Sequence, residues 1–306
     1  MIKKYLKIFI VNFFIILFIL ITVEFILVYA LFKEQNWERT PFKYHLANQV
    51  KAYFSNKYFD INKEIRKASY PENPSGKPPV AIMGCSYAYG LKLNDEETFA
   101  AQLSQYTGRT VYNLGIVGTS PREILYILEN DELRSTLIKE EPEYIIYPYI
   151  SHHLKRLYTD IRFYANSPYY RLTDGKLQYY NKNKFITSSM IYRKILEYKQ
   201  RKMSDDEAFA LFCIYMKQIS EEVKRHYKNT KFVILIYEDA DGNSGNVLNE
   251  NHNWQPLIQD GIIVLNASKI TNVGLHNPEY KIQNDKHPNA LAWSLVVPAI
   301  SNELGL

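Results

Sequence analysis

Beyond residue 77 the chain alternates between two patterns of apolar residues. Short apolar runs at 80–83 (VAIM), 110–116 (TVYNLGI), 144–150 (YIIYPYI), 232–237 (FVILIY) and 262–265 (IIVL) read as buried strands. Between them, apolar residues recur at helical spacing over 96–106, 121–137, 205–226 and 289–304. Gly108 stops the first of these helices, Ser120-Pro121 opens the second, and Pro288 precedes the last. Strands that are apolar throughout and separated by helices belong in a parallel sheet covered on both faces. The fold class expected is α/β, with these runs forming a parallel sheet covered by helices on both faces. Residues 157–204 break this rhythm. They are rich in tyrosine and loop-like, and read as an insertion forming a lid or substrate wall.

The N-terminus follows a different pattern. Residues 8–32 are almost wholly apolar and follow Lys3, Lys4 and Lys7. A bilayer needs roughly 20 such residues, whereas the apolar part of a cleaved signal peptide is about 7–15 residues long and ends in small residues. No such ending is present, so residues 1–32 read as an uncleaved transmembrane anchor. The purely basic tail places the N-terminus in the cytoplasm and the body outside, in the periplasm or at the cell surface. Glu24, a costly carboxylate within the run, could face a partner in the membrane. Residues 33–77 show no clean strand and read as a juxtamembrane linker. Within it, residues 37–58 suit either an amphipathic surface helix or a plain linker helix. Pro71, Pro74, Gly76, Pro78 and Pro79 mark the boundary with the body, residues 78–306.

Composition adds little to this picture. The net charge of +5 is scattered among acids rather than gathered in a basic block, which disfavours nucleic acid. Cys85 and Cys213 lack metal-ligand spacing and read as free thiols. No cofactor motif is present: the glycines near Ser86 are too few for a P-loop and no Gly-Lys-Ser/Thr follows.

The candidate chemistry gathers where strands end. Val80-Ala81-Ile82-Met83 stops abruptly at Gly84-Cys85-Ser86, and open α/β sheets work at the carboxyl ends of their strands. That makes Ser86 the candidate nucleophile. A serine hydroxyl needs a base, and the base needs a carboxylate to orient it. Asp285-Lys286-His287-Pro288 supplies both from a loop just before the last helix. After the second strand, Asn113-Leu114-Gly115-Ile116-Val117-Gly118 offers glycines that could aim a backbone N–H at an oxyanion, or that merely turn the chain. After the third, His152 and His153 could donate to the same site; further ligands for a metal are lacking. The turn is not a G-x-S-x-G nucleophile elbow, because Ala88 stands at the second glycine.

Taken together, these blocks resemble the SGNH (GDSL-like) hydrolase superfamily over residues 80–304, which implies a three-layer α/β/α sandwich of flavodoxin-like form on a parallel sheet of about five strands. Gly84-Cys85-Ser86 is similar to its Gly-Asp-Ser block, with Cys85 in place of Asp, and Asp285 and His287 match its Asp-x-His-Pro block. The resemblance implies a Ser86–His287–Asp285 triad, with oxyanion donors from the N–H of Ser86, the N–H of Gly115 and His152, where the family has Asn. His153 is the alternative to His152. It implies an esterase or acyltransferase acting outside the membrane on acylated glycan, cell-wall polymer or lipid, with rings such as Tyr164, Tyr169 and Tyr170 available to stack on sugars. The alternative is a decayed member that binds or assembles surface polysaccharide, with Cys85 and His152 marking the lost site.

Overall fold

A computed structural model describes residues 2–34, 66, 68–70, 76–158, 168–180, 203–237 and 252–306. The expected helix at 37–58 lies outside these residues. The chain falls into two units. The described part of the first is one continuous helix, α1 (Ile2–Glu34). Its described side chains are those of residues 9–24 and 26, and the large apolar ones among them are exposed, from Phe9 through Val23 to Ile26. Among the described residues no helix is long and apolar enough to cross a membrane.

All other described residues belong to the second unit. Its centre is a six-stranded sheet built from β1 (Ala68–Tyr70), β2 (Val80–Gly84), β3 (Val111–Gly115), β4 (Tyr144–Tyr149), β7 (Lys231–Ile236) and β8 (Ile263–Asn266). The spatial order is β1-β3-β2-β4-β7-β8, and every neighbouring pair is parallel except β1 with β3. The five parallel strands are those legible as apolar runs. β1 was not: it is only three residues long and comes from within the 33–77 segment read as linker without a clean strand. Its pairing with β3 supplies what so short a run cannot signal in side-chain pattern.

Successive strand residues point to opposite faces, so each face of the sheet gathers its own core. On one face Met83, Leu114, Tyr147, Tyr149 and Ile234 pack beneath α4 (Pro121–Glu129) and α7 (Asp205–His226) through Ile124, Leu128, Phe212 and Met216. On the other, Ile82, Val111, Ile146 and Leu235 meet Phe99 and Leu103 of α3 (Phe99–Thr107), and Trp293, Val296 and Ile300 of α10 (Ala290–Leu304). Two layers of helix on one parallel sheet make the sandwich. The helix expected over 121–137 is broken at Asn130, whose side chain accepts from Leu133 N and starts α5 (Asp131–Leu137). Capping boxes at Ser120/Glu123 and Ser204/Glu207 start α4 and α7.

The described core of the 157–204 insertion is a hairpin, β5 (Tyr170–Thr173) with β6 (Lys176–Tyr179), turning at Asp174-Gly175. It is tied to the body rather than loose. Tyr170 Oη donates to Glu129 Oε2 at 2.6 Å, and Gln218 bonds both the N–H and the carbonyl of Leu177. Tyr169 and Tyr170 lie here, with Tyr170 buried; Tyr164 lies outside the described residues.

Candidate active site

Ser86 opens a one-turn helix, α2 (Ser86–Tyr89), immediately after β2. The turn is held by Tyr89 N–H to Cys85 carbonyl at 2.9 Å and Gly90 N–H to Ser86 carbonyl at 3.1 Å. Gly115, at the end of β3, is what allows α2 to lie so close. A Cβ there would stand 2.1 Å from Tyr89 N and 2.5 Å from the Ala88 carbonyl carbon, both backbone atoms that cannot swing away.

The last loop brings the other two groups. Asp285 N–H donates to the Ile282 carbonyl and Ile282 N–H to the His287 carbonyl, both at 2.9 Å, so residues 282–287 form a closed turn. Asn284 takes the left-handed conformation at φ 58°, a position asparagine tolerates. Asn289 anchors the exit: its Nδ2 donates to the Glu279 and Lys281 carbonyls while its Oδ1 caps α10 at Ala292 N. Tyr87 Oη adds a bond to the Lys286 carbonyl at 2.9 Å, and its ring lies 5.3 Å from that of His287.

Ser86, Asp285 and His287 are thereby brought together. Ser86 Oγ lies 2.8 Å from His287 Nε2, and His287 Nδ1 is in contact with Asp285 Oδ1. Asp285 Oδ1 also accepts from His287 N at 3.0 Å. Burial raises the Asp285 carboxyl, but hydrogen bonds from Lys92, the His287 ring and the His287 N–H outweigh it and hold it far below the usual carboxylate range. With Asp285 ionised, Nδ1 carries the proton and donates. Nε2 is then the acceptor for the Ser86 hydroxyl.

The backbone N–H groups expected as oxyanion donors differ in their surroundings. The Gly115 N–H is already used by Asn113 Oδ1 at 3.1 Å. Its glycine is required for the close approach of α2 instead. The Gly118 N–H, in a turn at φ 80°, has no acceptor among the described residues. That turn is laced to the strand leading to Ser86 by Thr119 Oγ1, which donates to the Gly84 carbonyl at 3.0 Å. The Ser86 N–H likewise has no acceptor among the described residues.

The two histidines after β4 part company. His152 starts α6 (His152–Tyr158) and is exposed. His153 is fully buried between Tyr147 and Tyr149, with Nδ1 2.6 Å from Tyr147 Oη and Nε2 unpartnered. Burial, reinforced by the Arg156 guanidinium, holds the His153 ring neutral and its pKa well below the ordinary value. It is a core tie, not a group facing the Ser86 hydroxyl. Cys85 is buried and free, and Cys213 is free as well. Among the described residues no cluster of His, Cys, Asp and Glu could hold a metal ion.

Lys92 went unnoticed in the sequence, yet it pairs with Asp285 Oδ2. Nothing in its neighbourhood marks it, because its partner is almost two hundred residues away. Asn113 and Thr119 could have been suspected as polar residues flanking a strand end.

No protein-family model and no curated protein matches the chain. It is similar to several solved structures. One is a protein of the G-D-S-L family from Desulfitobacterium hafniense, at 12% identity and TM-score 0.45, over 74% of this chain and 99% of that one. Another is AlinE4, an SGNH-hydrolase family esterase, at 16% identity and TM-score 0.39, over 75% and 95%. A third is an extracellular lipase from Streptomyces rimosus, at 10% identity and TM-score 0.42, over 74% and 99%.

Proposed function

We propose that the chain is a serine enzyme that cleaves or transfers acyl esters. The observation that carries this reading is the Ser86–His287–Asp285 relay, with 2.8 Å between hydroxyl and imidazole. In the reading, His287 Nε2 takes the Ser86 proton as Oγ attacks the acyl carbonyl. The N–H groups of Ser86 and Gly118 hold the resulting oxyanion, an arrangement in which one donor is worth about 3 kcal/mol. As the tetrahedral adduct collapses, the C–O bond to the alcohol breaks and His287 returns the proton to the departing oxygen. Water, or an acceptor hydroxyl, then attacks acyl-Ser86 by the same route in reverse.

The substrate class proposed is an acyl ester fixed at the cell surface: an O-acylated glycan, cell-wall polymer or lipid. The support is the N-terminal sequence. Residues 8–32 are an apolar run within α1, which as an anchor would hold the body against such material. In this arrangement the N-terminus is cytoplasmic and the second unit is outside. Protease added to intact cells should trim the body, and its complete protection would overturn the orientation.

The test of the chemistry compares the purified full chain with Ser86→Ala on an aryl acetate and with a serine-reactive phosphonate. The expected result is loss of labelling and a fall in kcat/KM of at least about 10³-fold. Equal turnover and equal labelling would overturn the reading.

A further inference from the structure

The loop after α2 reaches the outer side of the Asp285 carboxylate. Lys92 Nζ pairs with Asp285 Oδ2, the oxygen that His287 does not use. Two observations show that the loop is built to hold the lysine there. First, Lys92 sits at φ 65°, in the left-handed region where a side chain is disfavoured and glycine would fit more easily. Such outliers persist where the surrounding structure demands the side chain. Second, Arg66 clamps this loop with every N–H it has. Its Nη1 donates to the Tyr89 and Gly90 carbonyls, both at 2.9 Å, its Nη2 to the Leu93 carbonyl at 3.1 Å and to Asp95, and its Nε to Asp95 Oδ1 at 3.0 Å. A planar fork that spends all its donors on one loop fixes that loop's path.

We propose that Lys92 is a positioning residue of the relay: its ammonium pins the outer oxygen of Asp285 so that the inner one faces His287 Nδ1, and it offsets part of the carboxylate's hold on the imidazole proton. The proposal rests on the serine-enzyme reading above. The groups around the pair are few. His287 faces Asp285, Ser86 and the Tyr87 ring; Asp285 faces Lys92 and His287. Lys286 lies between them with its carbonyl bound by Tyr87, Tyr237 packs edge-on against Tyr87, and Asp95 is paired with Arg66.

Without the ammonium the carboxylate is free to turn, and its full charge acts on the ring. An unscreened carboxylate stabilises positive charge on the facing ring more strongly, so the acid limb of the kcat/KM profile moves up. The Lys92 side chain is 55% exposed, so the charge effect is moderate and sensitive to salt. The test uses the full chain on an aryl acetate from pH 5 to pH 8. Lys92→Met should lower kcat by about 5- to 20-fold with KM within about 2-fold, and raise the acid limb by about 0.3–0.5 pH unit. Lys92→Arg should restore both. Raising the salt should move the wild-type limb toward that of Lys92→Met. Lys92→Gly removes the charge while relaxing the backbone, so its Tm should hold or rise while its acid limb shifts as in Lys92→Met; a merely structural lysine would not give that split. An unchanged kcat and acid limb in Lys92→Met, with Ser86→Ala inactive, would overturn the role of Lys92 alone. Full activity in Ser86→Ala would overturn the serine-enzyme reading and the role of Lys92 with it.

Discussion

Two histidines stand beyond neighbouring strand ends of the same sheet, and their surroundings make them opposite kinds of residue. His287 is held at a rim, its side chain 20% exposed, with one ring nitrogen on a carboxylate and the other on a hydroxyl. His153 is sealed in the core, with one nitrogen on a tyrosine hydroxyl and the other without a partner. Beside the first, the Asp285 carboxylate faces the ring and would offset positive charge on it. At the second, no anion among the described residues faces the ring, and charging it would strand a cation among aromatic rings. Residue type and strand-end position are shared. What separates the two rings is whether their nitrogens are divided between a carboxylate and a hydroxyl.

The comparison breaks most sharply by mutation of each histidine in turn. His287→Ala removes the proposed base and should lower kcat/KM on an aryl acetate by about 10³-fold or more while leaving Tm within a few degrees. Asp285→Asn should lower it comparably, since the ring then loses the acceptor that fixes its tautomer. His153→Phe should leave kcat/KM within about 3-fold in protein that remains folded. A large loss of turnover in folded His153→Phe would place that ring in the site after all.

The five parallel strands and the Ser86, Asp285 and His287 residues were legible in the sequence because each rests on local pattern. An apolar run that ends in Gly-Cys-Ser and an Asp-x-His-Pro before a helix are short signals that survive without knowledge of the fold. The roles of Gly115 and Gly118 were not separable, because both are glycines in one turn. Only the 2.1 Å approach of Tyr89 N to a Cβ at Gly115, and the use of the Gly115 N–H by Asn113, tell the two apart. Likewise His152 and His153 are adjacent in sequence, and which one turns inward depends on the first turn of α6. Lys92 and Arg66 lay beyond reach altogether, since an ion pair across the fold leaves no trace in spacing.

A smaller effect sharpens the view of His153 as a tie. His153→Phe leaves the buried Tyr147 hydroxyl without its acceptor, at a cost of about 1–3 kcal/mol. Removing the hydroxyl as well, in Tyr147→Phe/His153→Phe, takes away the unmet polar group and should recover most of that loss. Urea unfolding of the two variants and of Tyr147→Phe alone gives the coupling directly. Additive losses would mean that the 2.6 Å contact contributes nothing of its own.

The smallest effect is in the pH dependence of stability. The His153 pKa is depressed in the folded chain by burial, whereas in the unfolded chain it lies near the ordinary value of about 6.5. Above that value both states hold the ring neutral, and His153 adds no slope. Below it the unfolded chain takes up a proton that the folded chain refuses, so stability falls as pH falls, by at most about 1.4 kcal/mol per pH unit from this one group. The wild type should therefore lose stability more steeply than Tyr147→Phe/His153→Phe between pH 6.5 and pH 5, and in parallel with it above pH 7.5. Activity should behave otherwise, because in the serine-enzyme reading its acid limb belongs to the Ser86–His287–Asp285 relay: the double variant should keep the wild-type limb. If instead the stability slopes coincide below pH 6.5, the His153 ring takes a proton inside the folded chain, and the contrast between a sealed imidazole and a working one fails at its buried half.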